Sequence, residues 1–113
     1  MGRYTEKLAD VKKLIGRLQE QVPDQIGAFH NFMESVEAPG ALDQKEKELI
    51  NVGLAVAAQC EWCIALHVKG ALKAGAKKEE IIEAGMQAVL MHGGPALMYM
   101  TPLEEALEEF TNG

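Results

Sequence analysis

The chain has 113 residues, 48% of them hydrophobic and 25% charged, which reads as one domain, 1–113, of ordinary globular composition. Its formal net charge of −6, with basic residues scattered at Lys12, Lys13, Arg17, Lys45, Lys47, Lys77 and Lys78, speaks against a nucleic-acid-binding face, because phosphate contacts need clustered cations. No apolar run approaches the ~18 residues of a membrane span, and the charged start MGRYTEKLADVKKL lacks the apolar segment of a secretory signal, so a cytoplasmic protein without membrane association is expected.

The punctuation reads as a string of helices. Thr5 to Gln21 places Leu8, Val11, Leu14 (or Ile15) and Leu18 at helical spacing. Pro23 suits the first turn of a second helix, to about Val36, with Ile26, Phe29, Phe32, Met33 and Val36 as its apolar set. EAPGAL is a loop. Asp43, with Glu46 three residues on, has the capping-box pattern of a third helix, whose second half is expected to be buried around Leu49, Ile50, Val52, Leu54 and Val56. A tight joint near Ala58-Gln59 leads antiparallel into a fourth helix carrying Cys60, Cys63, Ile64, His67, Val68, Ala71 and Leu72, closed by a left-handed Gly75. Lys78 to Met91 is a fifth helix, with Ile81, Ile82, Ala84 (or Gly85), Ala88 and Val89 inward, ended by His92-Gly93-Gly94. Pro95 opens a sixth, with Thr101-Pro102 as either a fresh start or a kink. No segment alternates as a strand does. The fold class is all-α: a compact bundle of about six helices around a central helical hairpin. Aromatics are only 5%, and so Ala-rich a core predicts completion by self-association into a homo-oligomer.

The chemistry concentrates in CEWCIALH, which holds both cysteines of the chain. On a helix Cys60, Cys63 and His67 fall within an arc of about 60°, with the cysteine Cα atoms about 5 Å apart, inside the range a disulfide tolerates. His67 lies one turn beyond Cys63, in reach to exchange a proton directly or through one water. Cys60 at the helix start gains from the dipole, whereas the charge of Glu61 opposes thiolate formation. Glu48, a dozen residues before Cys60, faces this helix across a tight hairpin and can orient the imidazole. Three readings stand: a redox pair in a reducing compartment, three core residues, or a zinc site completed by Glu48, His30 or His92. His30, His92 and the methionines otherwise read as structural, Trp62 as a cover over the thiols or a subunit contact, and Ser35, the only serine, has no base beside it.

Glu48 followed by Cys60-Glu61-Trp62-Cys63 and His67, within ELINVGLAVAAQCEWCIALHVKGALKAG, resembles the carboxymuconolactone decarboxylase superfamily, specifically its alkyl hydroperoxidase D-like branch. The similarity weakens through the fifth helix to GGPA and covers roughly residues 25 to 110. It implies an all-helical trimer or hexamer in which Cys60 and Cys63 cycle between dithiol and disulfide. It further implies that Glu48 and His67 relay protons, that Cys63 is the more exposed, attacking thiol, and that Cys60 resolves. The implied partners are an external dithiol reductant and a disulfide or peroxide substrate, with no bound cofactor or metal. Superfamily lactone decarboxylases lack the cysteine pair, which argues against a lyase using His67 and Glu48 as acid and base. Trp62 stands where the branch's peroxidase carries a second histidine between its cysteines, which weakens the expectation of direct peroxidase activity.

Overall fold

The computed structural model describes residues 2–112; Met1 and Gly113, the ends of the expected 1–113 unit, lie outside them. Every regular element among the described residues is helical: α1 (Arg3–Gln21), α2 (Pro23–Glu37), α3 (Gln44–Ala57), α4 (Glu61–Lys73), α5 (Lys78–His92), a five-residue α6 (Gly94–Met98) and α7 (Met100–Asn112). The sixth helix expected from sequence is thus divided. The break falls at Tyr99, and Pro102 sits buried in the first turn of α7, where a missing N–H removes no intrahelical bond. No helix of the described residues is long and apolar enough to cross a membrane.

The centre of the molecule is α4, which buries Ile64, Ala65, Val68 and Ala71. Against it pack α3, through Val52, Ala55 and Val56, and on other sides α1 and α7, whose Leu103, Ala106 and Leu107 are buried. On its other flank α3 also rests on α5, which contributes Ile81 and Ala88. The packing of α3 on α4 brings Glu48 of α3 within reach of His67 on α4.

Local signals set the ends. Asp43 and Glu46 form the anticipated capping box, Glu46 N donating to Asp43 Oδ1 and Asp43 N to Glu46 Oε1, each at 2.8 Å. Glu80 accepts from Lys77 N at 2.8 Å to hold the start of α5 and from Lys45 Nζ at 3.0 Å to tie it to α3. The amide of Lys77, then the ammonium of Lys45, hold the Glu80 carboxyl below its ordinary value.

The start of α1 has no cap of its own. Glu109 of α7 supplies one, accepting from the amides of Tyr4 (3.0 Å) and Thr5 (2.7 Å) and from the Thr5 hydroxyl (2.7 Å). Burial pushes this carboxyl up, but the three hydrogen bonds outweigh it and hold the group below its ordinary 4.5. Its contribution is therefore complete above pH 4.5 and is lost as the pH falls through the lower folded value. Glu109→Ala is expected to lower stability by about 1–2 kcal/mol at neutral pH, the usual scale for a lost helix cap. The difference from the unaltered protein should shrink on acidification; denaturant melts at pH 7 and pH 3 that show one constant difference would refute this.

Helix α2 departs from expectation. None of its residues is buried, and Phe29, Phe32 (64% exposed), Met33 and Val36 face outward. It is tethered by polar contacts at its C-terminal end, where Lys47 Nζ donates to the carbonyl of Val36 at 2.8 Å and also to that of Ala38. Likewise on α3, Val52 and Val56 are buried but Ile50 and Leu54 are exposed. On α1, Ile15 rather than Leu14 turns inward, and the most buried position is Tyr4, whose hydroxyl donates to Glu105 at 2.6 Å.

Candidate functional site

The turn from α3 to α4 fixes where the sulfur atoms lie. Gln59 takes a left-handed φ of 57°, its N–H donating to Val56 O, while Cys60 N–H reaches back to Ala55 O. These two bonds close the end of α3 in the Schellman manner, and the same arrangement recurs at Gly75 (φ 96°) at the end of α4. Cys60 is therefore held twice: its amide completes α3, and its side chain caps α4 by accepting the Cys63 N–H at 3.2 Å. The sequence places Cys60 at the helix start, and the structure makes it the N-cap itself.

The two cysteines form a disulfide, with Cα atoms 5.2 Å apart, matching the helical estimate. Both are half-buried, and Cys63 lies against the hydrophobic core. An N-cap position favours negative charge on sulfur, because the free amides of the first turn and the helix dipole point at it. Glu61, next in the chain, opposes this less than its charge suggests. Arg3 lies 2.9 Å and Lys7 3.8 Å from Glu61 Oε1, so the carboxylate is turned to cations of α1. Lys7 also sits over the Trp62 ring at 4.4 Å from its centroid, and the indole N–H points to Asp10 Oδ2 at 3.5 Å. Trp62 thus leans on α1 with about half its surface open.

One turn after Cys63, His67 Nδ1 lies 2.8 Å from Glu48 Oε1. A carboxylate oxygen only accepts, so Nδ1 carries the proton and Nε2 is left as the acceptor of the neutral ring. Glu48 is 13% and His67 30% exposed, a partly dry pair that water still reaches. Two of the expected contacts are formed, Cys60 with Cys63 at the start of α4 and Glu48 of α3 with His67, which stands one turn after Cys63.

Two neighbours escape the sequence reading. The side-chain amide of Asn51 donates to Glu48 Oε1 at 3.3 Å and to Glu37 Oε1 at 3.0 Å, linking α2 to the pair. Asn51 stands three residues after Glu48 on α3, so helical spacing was an available signal; the arrival of Glu37 from α2 had none. His30 and His92 lie exposed on α2 and at the end of α5, and no three His, Cys, Asp or Glu side chains among the described residues converge as a metal site.

Comparison with known proteins agrees with the all-helical fold. The model of the carboxymuconolactone decarboxylase family matches residues 23–105. The chain is similar to “Uncharacterized protein 4 in cox locus” of Paracoccus denitrificans, 43% identical over 73% of this chain and 74% of that one. Among solved structures it is similar to an apo carboxymuconolactone decarboxylase family protein of Legionella pneumophila, with a TM-score of 0.92, 37% identity, and coverage of 96% of this chain and 97% of that one. A Thermotoga maritima protein of the same family, for which involvement in antioxidative response has been suggested, superimposes with a TM-score of 0.84 at 26% identity, covering 94% of this chain and 91% of that one.

Proposed function

This chain belongs to the carboxymuconolactone decarboxylase family, and within it we propose a thiol-disulfide oxidoreductase of the alkyl hydroperoxidase D-like branch. The observation that carries the reading is the Cys60–Cys63 pair on the first turn of α4, one turn from an imidazole held by Glu48 at 2.8 Å. The suggested antioxidative role of the Thermotoga maritima relative is in keeping with it.

In the proposed cycle His67, oriented by Glu48, takes the proton of Cys63. The Cys63 thiolate attacks one sulfur of a substrate disulfide; that S–S bond breaks, and the first substrate thiolate leaves with a proton. The Cys60 thiolate then attacks Cys63 in the mixed disulfide. The Cys60–Cys63 bond forms, the second substrate thiolate departs, and two electrons have passed from protein to substrate. With a hydroperoxide the first product is an alcohol and a sulfenic acid on Cys63, from which Cys60 displaces water. An external dithiol reverses the internal bond by attack on Cys63. Cys60 is then the leaving group, and the N-cap amide that stabilises its thiolate speeds that step. Trp62 between the cysteines supplies no proton, which favours a disulfide over a peroxide as the working substrate. The protein would act as a homo-oligomer in the cytoplasm, with no bound cofactor.

A thiol titration against pH, combined with the redox midpoint of the pair, tests the assignment. In the reduced protein at least one thiol should ionise below the ordinary ~8.5. Cys63→Ser and Cys60→Ser each isolate the other sulfur, and His67→Ala should make Cys63 harder to ionise. Two thiols that ionise only at or above the ordinary value, unmoved by loss of His67, would remove the proposal.

A further inference from the structure

We infer that Gly70 is a positioning residue: the space left by its missing side chain is the seat in which the Glu48 carboxylate lies, so residue 70 decides whether Glu48 reaches His67. The inference rests on the proton-relay reading above for its functional consequence, and on geometry alone for the seat itself.

Gly70 stands in the interior of α4, three residues after His67 and hence on the same face. Glycine there is unfavourable, since it costs helix stability relative to alanine, and its backbone is ordinary right-handed helix that needs no glycine. A Cβ built on Gly70 would overlap Glu48 Oε2 outright and lie 2.7 Å from Glu48 Cδ. The obstructing group is therefore the carboxylate itself. The same carboxylate is held on its other oxygen by His67 Nδ1 at 2.8 Å and Asn51 Nδ2 at 3.3 Å. Displacing Oε2 and Cδ away from a methyl group pulls on the Oε1 that makes those bonds. Gly16 and Gly27, also within helices, have open space where a Cβ would go; Gly53 and Gly85 meet the Ala84 carbonyl and the Met100 and Leu103 side chains, so among these helical glycines it is at Gly70 that a carboxylate of the candidate site fills the space.

Two oxygens of one carboxylate thus meet three positions on two helices. Asn51 steadies the carboxylate along α3, His67 receives it, and Gly70 leaves the room between α3 and α4 that lets it lie flat against the helix. Alanine at position 70 improves the helix and disables the relay, which separates the two effects experimentally.

The test is a double-mutant cycle of Gly70→Ala and Glu48→Ala, read by the 15N resonance of His67 Nδ1, by denaturant melts and by disulfide reduction with an external dithiol. Gly70→Ala should shift the Nδ1 resonance in the same direction as Glu48→Ala and lower the reduction rate about as far. On the Glu48→Ala background, Gly70→Ala should change neither the resonance nor the rate, and should raise the unfolding midpoint. If Gly70→Ala alone fails to fold while the double variant folds, the overlap with Glu48 is confirmed. A resonance that moves while reduction stays unchanged supports the seat and counts against the relay. A Gly70→Ala protein that keeps both the resonance and the rate, or losses that add on the Glu48→Ala background, would overturn the inference.

Discussion

Cys63→Ser is expected to lower disulfide turnover by about 10³-fold or more, because removing a nucleophile leaves only what binding and orientation provide. A serine hydroxyl does not ionise near neutral pH and cannot form the mixed disulfide. Cys60→Ser should fail differently. Its Cys63 can still attack, so the variant should release one equivalent of substrate thiol and then stop, trapped as a mixed disulfide whose mass is that of the protein plus the retained half of the substrate. With a hydroperoxide the same variant should halt at the sulfenic acid, releasing one equivalent of alcohol. The asymmetry is that of the proposed order of attack: Cys63 stands on the first turn of α4, one turn before His67, whereas Cys60 is tied to the joint by the hydrogen bond its amide donates to Ala55 O and by its cap on Cys63 N.

The pair of variants also separates the rival chemistries. A lyase using Glu48 and His67 as acid and base would turn over a lactone in both serine variants and lose activity in His67→Ala. A purely structural protein would show no turnover to lose and no released equivalent. If Cys60→Ser supports continuous turnover, or if Cys63→Ser is the variant that traps a half-substrate, the proposed order of attack is wrong.

Much of the hairpin was legible because its signals are local. The capping box at Asp43 and Glu46, the helical spacing from Cys60 to Leu72 and the glycine at position 75 each need only a few neighbouring residues, and each stands where the sequence put it. The joint at Ala58-Gln59 was also anticipated, although a glutamine in the left-handed region is no common turn signal. Glu48 could be proposed from spacing because a tight antiparallel pair makes distance along the chain a guide to distance across it.

What could not be read depends on contacts between elements far apart in the chain. Glu109 capping α1 joins residues more than a hundred positions apart, and Tyr4 enters the core because α7 offers its hydroxyl a partner at Glu105. The apolar sets of α2 and α3 mislead for a related reason. Periodicity reports that Phe29, Phe32, Ile50 and Leu54 share faces that favour burial; it does not say whether the same chain buries them. Gly70 is the opposite case, where a residue of low helix propensity marks a close approach that spacing alone did not reveal.

Introducing charge into that uncovered apolar surface tests the proposed homo-oligomer, which should then disperse into monomers. Ile50 and Leu54 of α3 and Met91 (77% exposed) of α5 line a groove of about 380 Å³ between the two helices, and Leu90 (76% exposed) stands next to Met91 in the chain, outside the groove. Phe29, Phe32 and Met33 of α2 add a second apolar face. A helix that buries nothing is marginal in water, since most helical stability in proteins comes from packing an amphipathic face. We propose a second copy of the chain as the occupant, in keeping with the self-association that its Ala-rich, aromatic-poor core predicts. Leu90→Glu touches little within one chain, so the monomer should keep its stability to within about 0.5 kcal/mol. Across a symmetric contact the change is made in every copy. Each loses the burial of a leucine, about 1.5–3 kcal/mol, and gains an unpaired carboxylate to desolvate, so association should weaken by about 10²-fold or more. Sedimentation equilibrium of both proteins at matched micromolar concentrations provides the readout. Hydrogen exchange adds a second: amides of α2 should lose protection in Leu90→Glu while those of α4 keep it, if assembly is what holds α2 in place. An unaltered protein that already sediments as a monomer, or a Leu90→Glu variant of unchanged mass, would mean that something other than a second copy covers this face.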